Sequence, residues 1–271
     1  MKLKIFLFFF IVCIFLLKSF NKNDKIVGYY KPKNQESIAM PLVFDSHKTY
    51  NRWGSPIAKR DLQYARFLSA SVKISVSEGS GSGTIVYYDS KNNEAYIASC
   101  GHLWSGNKSY SELLENPETC KITTWYHNET KLKNPKEYTA KILFWSNTRG
   151  YDCSLLKFTP DWKPNFFPFA KADYPFGKGM RLNSCGCDAG SEVALYDVYF
   201  EQFKGNDLIT IKNSPRPGRS GGGLLTDEGY YVATCWGTSN PDGSGIGYFT
   251  PLKSIHSVYT QNNFAWILNV S

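Results

Sequence analysis

The sequence predicts an all-β protein closed by a C-terminal helix. Tyr, Phe, Val, Thr and Ile recur in short runs separated by Gly, Asn, Pro and Asp. The first group favours strands and the second favours turns. Aromatic residues make up 16% of the chain and charged residues 20%, a globular composition with ample material for a core. A connector rich in Pro and Phe, Pro160 to Phe176, divides the strand signals into two sets. At 271 residues the chain has length for one large domain or two small ones.

The N-terminus opens with Lys2 and Lys4, followed by an unbroken apolar run from Ile5 to Leu17. That run is short of the ~20 residues of a spanning helix and fits the apolar region of an export signal. Residues 1–20 are therefore expected to export the protein, or to tether it to a membrane as an uncleaved anchor, since Leu17-Lys18-Ser19-Phe20 offers no pair of small residues for cleavage. Residues 21–65 form a polar extension bearing Lys, Asn and Pro.

The first set of strands begins at Ser71–Ser77, which alternates with period two. Thr84–Tyr88 follows a Gly-Ser run, and a turn at Asp89–Asn93 leads into Glu94–Ser99. Some helical character over 110–115 precedes strands at Lys121–His127, Glu137–Trp145 and Tyr151–Phe158. The second set comprises Met180–Asn183, Glu192–Phe203, Leu208–Lys212, Gly223–Leu225, Tyr230–Gly237 and Gly247–Thr250. Ile255, Val258, Phe264, Ile267 and Leu268 suit an amphipathic helix broken near Gln261–Asn263.

Formal net charge is +8, of which Lys2, Lys4 and Lys18 supply three. The densest basic stretch, Lys131, Lys133, Lys136 and Lys141, is interrupted by Pro135 and Glu137 and holds a single aromatic residue, Tyr138. It reads as a solvated loop, not as a nucleic-acid surface. Six cysteines lie downstream of the leader: Cys100, Cys120, Cys153, Cys185, Cys187 and Cys235. An even number behind an export signal is consistent with disulfides, in any of fifteen connectivities. Cys185-Gly186-Cys187 has the wrong spacing for a zinc pair, and no second pair exists, so neither metal nor cofactor is expected.

Chemistry is concentrated at Pro217-Gly218-Arg219-Ser220-Gly221-Gly222-Gly223. Glycines there let backbone approach a ligand closely and point several N–H groups at one spot. A serine nucleophile needs such donors for its oxyanion, and it needs a general base oriented by an acceptor. Of the four histidines, His47 lies in the extension, His127 falls mid-strand and His256 falls on the closing helix. His102 alone follows directly on a buried-looking strand, where a rigid element can aim it. Asp152 opens an apolar strand, where a carboxylate requires a partner such as an imidazole N–H.

The order His102, Asp152, Ser220, with spacings of 50 and 68 residues, resembles that of the chymotrypsin/trypsin clan of serine peptidases, most of all its compact bacterial and viral members. The likeness covers about residues 70–252. It rests on Gly79–Val86, Ile97–His102, Tyr151–Lys157, Gly218–Gly222 and Cys235–Gly237. The resemblance implies two six-stranded antiparallel barrels, about 66–159 and 175–252, with a helix over about 253–268 and a peptidase domain spanning 66–271. It makes Ser220 the nucleophile, His102 the base and Asp152 the orienting acid, with Gly218 and Ser220 N–H groups as the oxyanion hole. Ser214, Cys235, Trp236, Gly237, Gly247 and Phe249 fall at the family's substrate-binding positions; the uncharged Ser214 disfavours a preference for Lys or Arg, and Gly237, Gly247 and Phe249 suit an open, mostly apolar primary pocket. The implied partner is a polypeptide substrate; a catalytically silent binding protein on the same fold is the alternative.

One departure stands out. Animal digestive members carry an acid before the serine that captures a new N-terminus after activation, and here that position is Arg219. Lys25-Ile26-Val27-Gly28 resembles their activation site but lacks this partner, so the enzyme is expected to act without cleavage there. Cys235 replaces the serine that often supports the aspartate, and Cys100 and Cys153 flank the other two members of the set.

Overall fold

The computed structural model describes residues 65–76, 79–104, 118–128 and 131–269, without the side chains of 126–134. The leader, the extension as far as residue 64, His47, Lys25–Gly28 and the helical reading at 110–115 lie outside the described residues.

Twelve antiparallel strands form two closed barrels. The first contains β1 (Ser71–Val76), β2 (Gly79–Asp89), β3 (Glu94–Ser99), β4 (Thr119–Asn128), β5 (Lys131–Ser146) and β6 (Cys153–Phe158), in the spatial order β1-β2-β3-β6-β5-β4. Pairing of β1 with β4, Ile74 opposite Ile122, closes it. The second contains β7 (Arg181–Cys187), β8 (Val193–Lys204), β9 (Asp207–Ile211), β10 (Gly223–Leu225), β11 (Tyr231–Thr238) and β12 (Gly247–Pro251), in the order β10-β11-β12-β9-β8-β7. Closure leaves no sheet edge unpaired. A helix, α1 (Leu252–Gln261), ends the fold together with a 3-10 turn at Ala265–Asn269.

Alternation along each strand sends one face inward. In β3, Ala95 and Ile97 enter the core of the first barrel, while Tyr96 and Ala98 face the second. Period two alone starts β2 at Thr84, but the strand begins five residues earlier at Gly79. Its glycines are needed for packing: a Cβ on Gly81 would lie 2.4 Å from Leu103, and one on Gly83 would lie 2.5 Å from Ile97. The basic stretch 131–141 is also strand, not loop; it forms the start of β5 and pairs with β4 through Pro135. Its exposed Lys136 donates to Asp161. The six cysteines from Cys100 to Cys235 are buried free thiols, which replaces the expectation of disulfides.

Two features bind the barrels together. The connector runs between them: Phe167 N–H donates to Ile85 C=O of β2, and Tyr231 N–H of β11 donates to Pro168 C=O. The helix then crosses back to the first barrel. Leu252, Ile255, Val258 and Tyr259 form its buried stripe. The Tyr259 ring meets Phe144 of β5 edge-on at 4.8 Å, and its hydroxyl donates to Ser154 C=O of β6 over 3.0 Å. The helix thus clamps the strand that follows Asp152.

Phe144→Ala is expected to lower unfolding stability by about 3–5 kcal/mol, the usual cost of emptying a buried aromatic site. Urea denaturation followed by fluorescence checks this, with an unchanged m-value confirming the same unfolded state.

Candidate active site

β3 ends at Ser99, and the chain turns through Cys100 and Gly101 into a 3-10 turn, His102–Trp104. Only glycine fits at 101, because a Cβ there would lie 1.9 Å from Ser146 C=O. Trp104 anchors the turn: its Nε1–H donates to Ser154 Oγ over 3.1 Å, and that hydroxyl donates to Cys100 C=O over 2.9 Å. Because Ser154 lies two residues after Asp152, this anchor sets the turn against the carboxylate.

Asp152 is 3% exposed. Its Oδ1 accepts the N–H groups of Gly101 (2.6 Å) and His102 (2.9 Å), and its Oδ2 lies 2.6 Å from His102 Nδ1. The acceptor assigns the Nδ1–H tautomer, leaving a lone pair on Nε2. That is the arrangement of a base held by its orienting acid. Thr250 Oγ1 of β12 donates to Asp152 C=O over 2.9 Å, so the second barrel also grips this residue.

Nε2 faces Cys100 Sγ at 3.7 Å. Burial pushes the Cys100 thiol well above its usual range, as it does for Cys153, and raises Cys235 to about 12. These are neutral core thiols, not reactive thiolates. Cys100, His102 and Asp152 together offer three metal-ligand atoms within 4.8 Å. Both Asp152 oxygens already accept hydrogen bonds, two on Oδ1 and one on Oδ2.

Ser220 lies on the loop between β9 and β10, where Gly218 (φ 90°) and Gly221 (φ 87°) adopt left-handed conformations that favour glycine. A Cβ on Gly221 would lie 2.1 Å from both Ser82 C=O and Ser99 Oγ, and 3.0 Å from Cys100 N. The nucleophile loop thus abuts the end of the strand that leads to His102. Ser82 of β2 fastens it: Ser82 N–H donates to Ser220 C=O (2.7 Å), and Ser82 Oγ donates to Gly218 C=O (2.8 Å). From the other side, Gly221 N–H donates to Cys235 C=O (2.7 Å) and Cys235 N–H donates to Gly222 C=O (2.8 Å). Pro217 C=O is held away by Ala189 N–H at 2.6 Å. Among the described residues, the N–H groups of Gly218 and Ser220 donate to no protein acceptor, as an oxyanion hole requires. No hydrogen bond joins Ser220 Oγ to His102 Nε2; such contacts commonly tighten only with substrate bound.

Arg219 is wholly buried. Its Nε donates to Asp188 Oδ1 over 2.8 Å, and its Nη1 donates to Ser184 C=O over 2.7 Å. The Tyr196 ring lies 4.0 Å from its Cζ, and Tyr196 OH donates to Asp188 Oδ2 over 2.6 Å. Burial works most strongly against the charge, but Asp188, Tyr196 and Cys185 together hold the guanidinium pKa up. Removing one partner of such a pair costs about 3–5 kcal/mol. Sequence reasoning missed Asp188, Tyr196 and Ser82. No sequence signal pointed to them, because the burial of Arg219 that demands an acid is itself a product of the tertiary structure.

Of the predicted substrate residues, Ser214 is buried and lines a cavity of about 310 Å³ with Tyr196, Asn213, Arg216, Asp242, Gly243 and Ser244. Charged and polar side chains, Arg216, Asp242 and Ser244, stand among these walls. Cys235 and Phe249 are packed in the second core, and a Cβ on Gly247 would meet Thr210 and Pro215. Trp236, half-buried, sits at a bulge where the pairing of β11 with β12 shifts. Its Nε1–H donates to Asp207 Oδ1 over 3.1 Å, and Arg149 approaches its ring at 5.9 Å. Burial raises the Asp207 carboxyl above its usual range. Space is open beside Gly237, where no atom lies within 4 Å of a Cβ position. His256 instead contacts Ala170 C=O over 3.0 Å, and burial lowers its pKa.

Asp152→Asn is expected to remove the far-downfield Nδ1 proton resonance of His102 and to slow labelling of Ser220 by a fluorophosphonate probe about 10⁴-fold, because the amide stabilises the wrong tautomer. Proton NMR and labelling rates test both.

No family model matches the chain. No curated protein matches it either. Solved structures do resemble it. The MamO protease domain from Magnetospirillum magneticum (apo form) is 18% identical over 72% of this chain and 98% of its own, with a TM-score of 0.49. Deg5 is 14% identical over 75% of this chain and 96% of its own, with a TM-score of 0.54. At these identities the likeness to Deg5 speaks to fold alone. Together with the two closed six-stranded barrels and the C-terminal helix, it identifies the fold of this chain as that of chymotrypsin.

Proposed function

We propose that the protein is a serine endopeptidase that cleaves polypeptides through an acyl-enzyme. The observation that carries this is the His102–Asp152 pair, with Nδ1 and Oδ2 2.6 Å apart, at the strand end abutted by the glycine-rich Ser220 loop. Nε2 of His102 takes the Ser220 proton as the hydroxyl attacks the scissile carbonyl, and Asp152 stabilises the resulting imidazolium. The Gly218 and Ser220 N–H groups receive the oxyanion. His102 then returns the proton to the leaving amine, and water repeats the sequence on the acyl-enzyme.

Substrate backbone would lie along the open side of Gly237, next to the Trp236 ring that Asp207 and Tyr248 hold in place. Ser214 and the cavity it lines would meet the substrate's primary side chain. Among the described residues no helix is long and apolar enough to cross a membrane. The apolar run 5–17 would serve export or tethering.

Ser220→Ala is expected to abolish fluorophosphonate labelling and to reduce peptide hydrolysis on the order of a million-fold. Labelling that survives the substitution would sink the assignment. A wild-type protein that binds peptides yet is never labelled would be a silent binder on this fold.

A further inference from the structure

Arg219 lies between the two residues whose N–H groups form the oxyanion hole, yet its side chain runs the opposite way into the second barrel. There it meets Asp188, the first residue of the 3-10 turn Asp188–Gly190. The same turn reaches back to the nucleophile loop by a second route. Ala189, held at φ 49° and ψ 29°, donates its N–H to Pro217 C=O over 2.6 Å. A non-glycine residue in that region is under strain, which persists only where its surroundings over-determine it. A closed circuit results, running from Arg219 through Asp188 and Ala189 to Pro217 and back through Gly218. Turning the Pro217–Gly218 peptide would break the Ala189 bond, and shifting the loop would strand the Arg219 charge.

Tyr196 completes the circuit, with its ring over the guanidinium and its hydroxyl on the second Asp188 oxygen. Gly218 cannot be other than glycine here, since a Cβ would lie 2.6 Å from both Ala189 N and Cys187 C=O. Every partner of the buried cation comes from β7, the turn after it, or β8, all within the second barrel.

We propose that Asp188, Arg219 and Tyr196 form an internal latch. They are positioning residues that hold the Gly218 and Ser220 N–H groups in their donating orientation, so the site is complete without capture of a newly cut N-terminus. The latch rests on the peptidase reading above.

The test uses the full chain. In Asp188→Asn, kcat for a peptide substrate is expected to fall about 100-fold with KM within about threefold, the pattern of a lost transition-state interaction. Asp188→Glu restores part of that loss, and Tyr196→Phe, which still folds at a modestly lowered Tm, lowers kcat roughly three- to tenfold. Lys25→Gln, which blocks cutting before Ile26, leaves kcat unchanged. Amide hydrogen exchange across residues 216–220, which needs no activity, speeds up in Asp188→Asn. The latch is overturned by a folded Asp188→Asn with wild-type kcat and wild-type exchange, or by turnover that appears only after cleavage at Lys25. Should Asp188→Asn fail to fold, wild-type kcat and exchange in Tyr196→Phe overturn it. A wild-type chain that neither labels nor turns over defeats the peptidase reading instead, and the exchange measurement still decides the latch.

Discussion

A full positive charge at 0% exposure is the constraint on which the functional end of this molecule depends. A buried guanidinium without partners would cost many kcal/mol, so its neighbours are dictated. Asp188 supplies the counter-charge, Ser184 a carbonyl and Tyr196 an aromatic face. Because Arg219 is flanked by Gly218 and Ser220, satisfying the cation also settles the backbone around the nucleophile. Stability and chemistry are coupled at one residue, and the coupling lies inside the second barrel.

The first barrel contributes the other half. The Asp152 carboxylate gathers two backbone N–H groups and the His102 ring, so the strand end, the turn and the imidazole form one unit. Ser82 joins that unit to the nucleophile loop by two hydrogen bonds, and Thr250 ties Asp152 to β12. The crossing helix, through Tyr259 on Ser154 C=O, fixes β6 behind them. The cleft is therefore a junction of backbones, and its glycines at 101, 218 and 221 mark where a side chain would collide with the opposing wall.

Much of this was legible in the sequence. Period-two runs and punctuating turns located all twelve strands, because alternation records which face is buried. The helix break near Asn262 showed in its polar residues and appears as Asn263 at φ 67°. Where reading failed, packing had overruled local preference. The Gly-Ser run at 79–83 looked like a turn but is strand, since glycine there serves close approach to Leu103 and Ile97. Lys131–Lys141 looked like a loop but pairs with β4 as part of a strand that also carries a proline. The even cysteine count implied cross-links, whereas each thiol packs as a small apolar group.

By itself the sequence determined the all-β class, the two sets of strands and the candidates His102, Asp152 and Ser220, because burial periodicity and the needs of a serine nucleophile are local or ordered along the chain. It also determined that Arg219 could not play the part of an acid. Only the tertiary structure decided what Arg219 does. Asp188 is 31 residues away and Ser82 is 136 residues from Gly218, and no periodicity or motif records such pairings. The first arises where the second barrel closes on itself and the second where the two barrels meet, both bringing together backbones far apart in the chain.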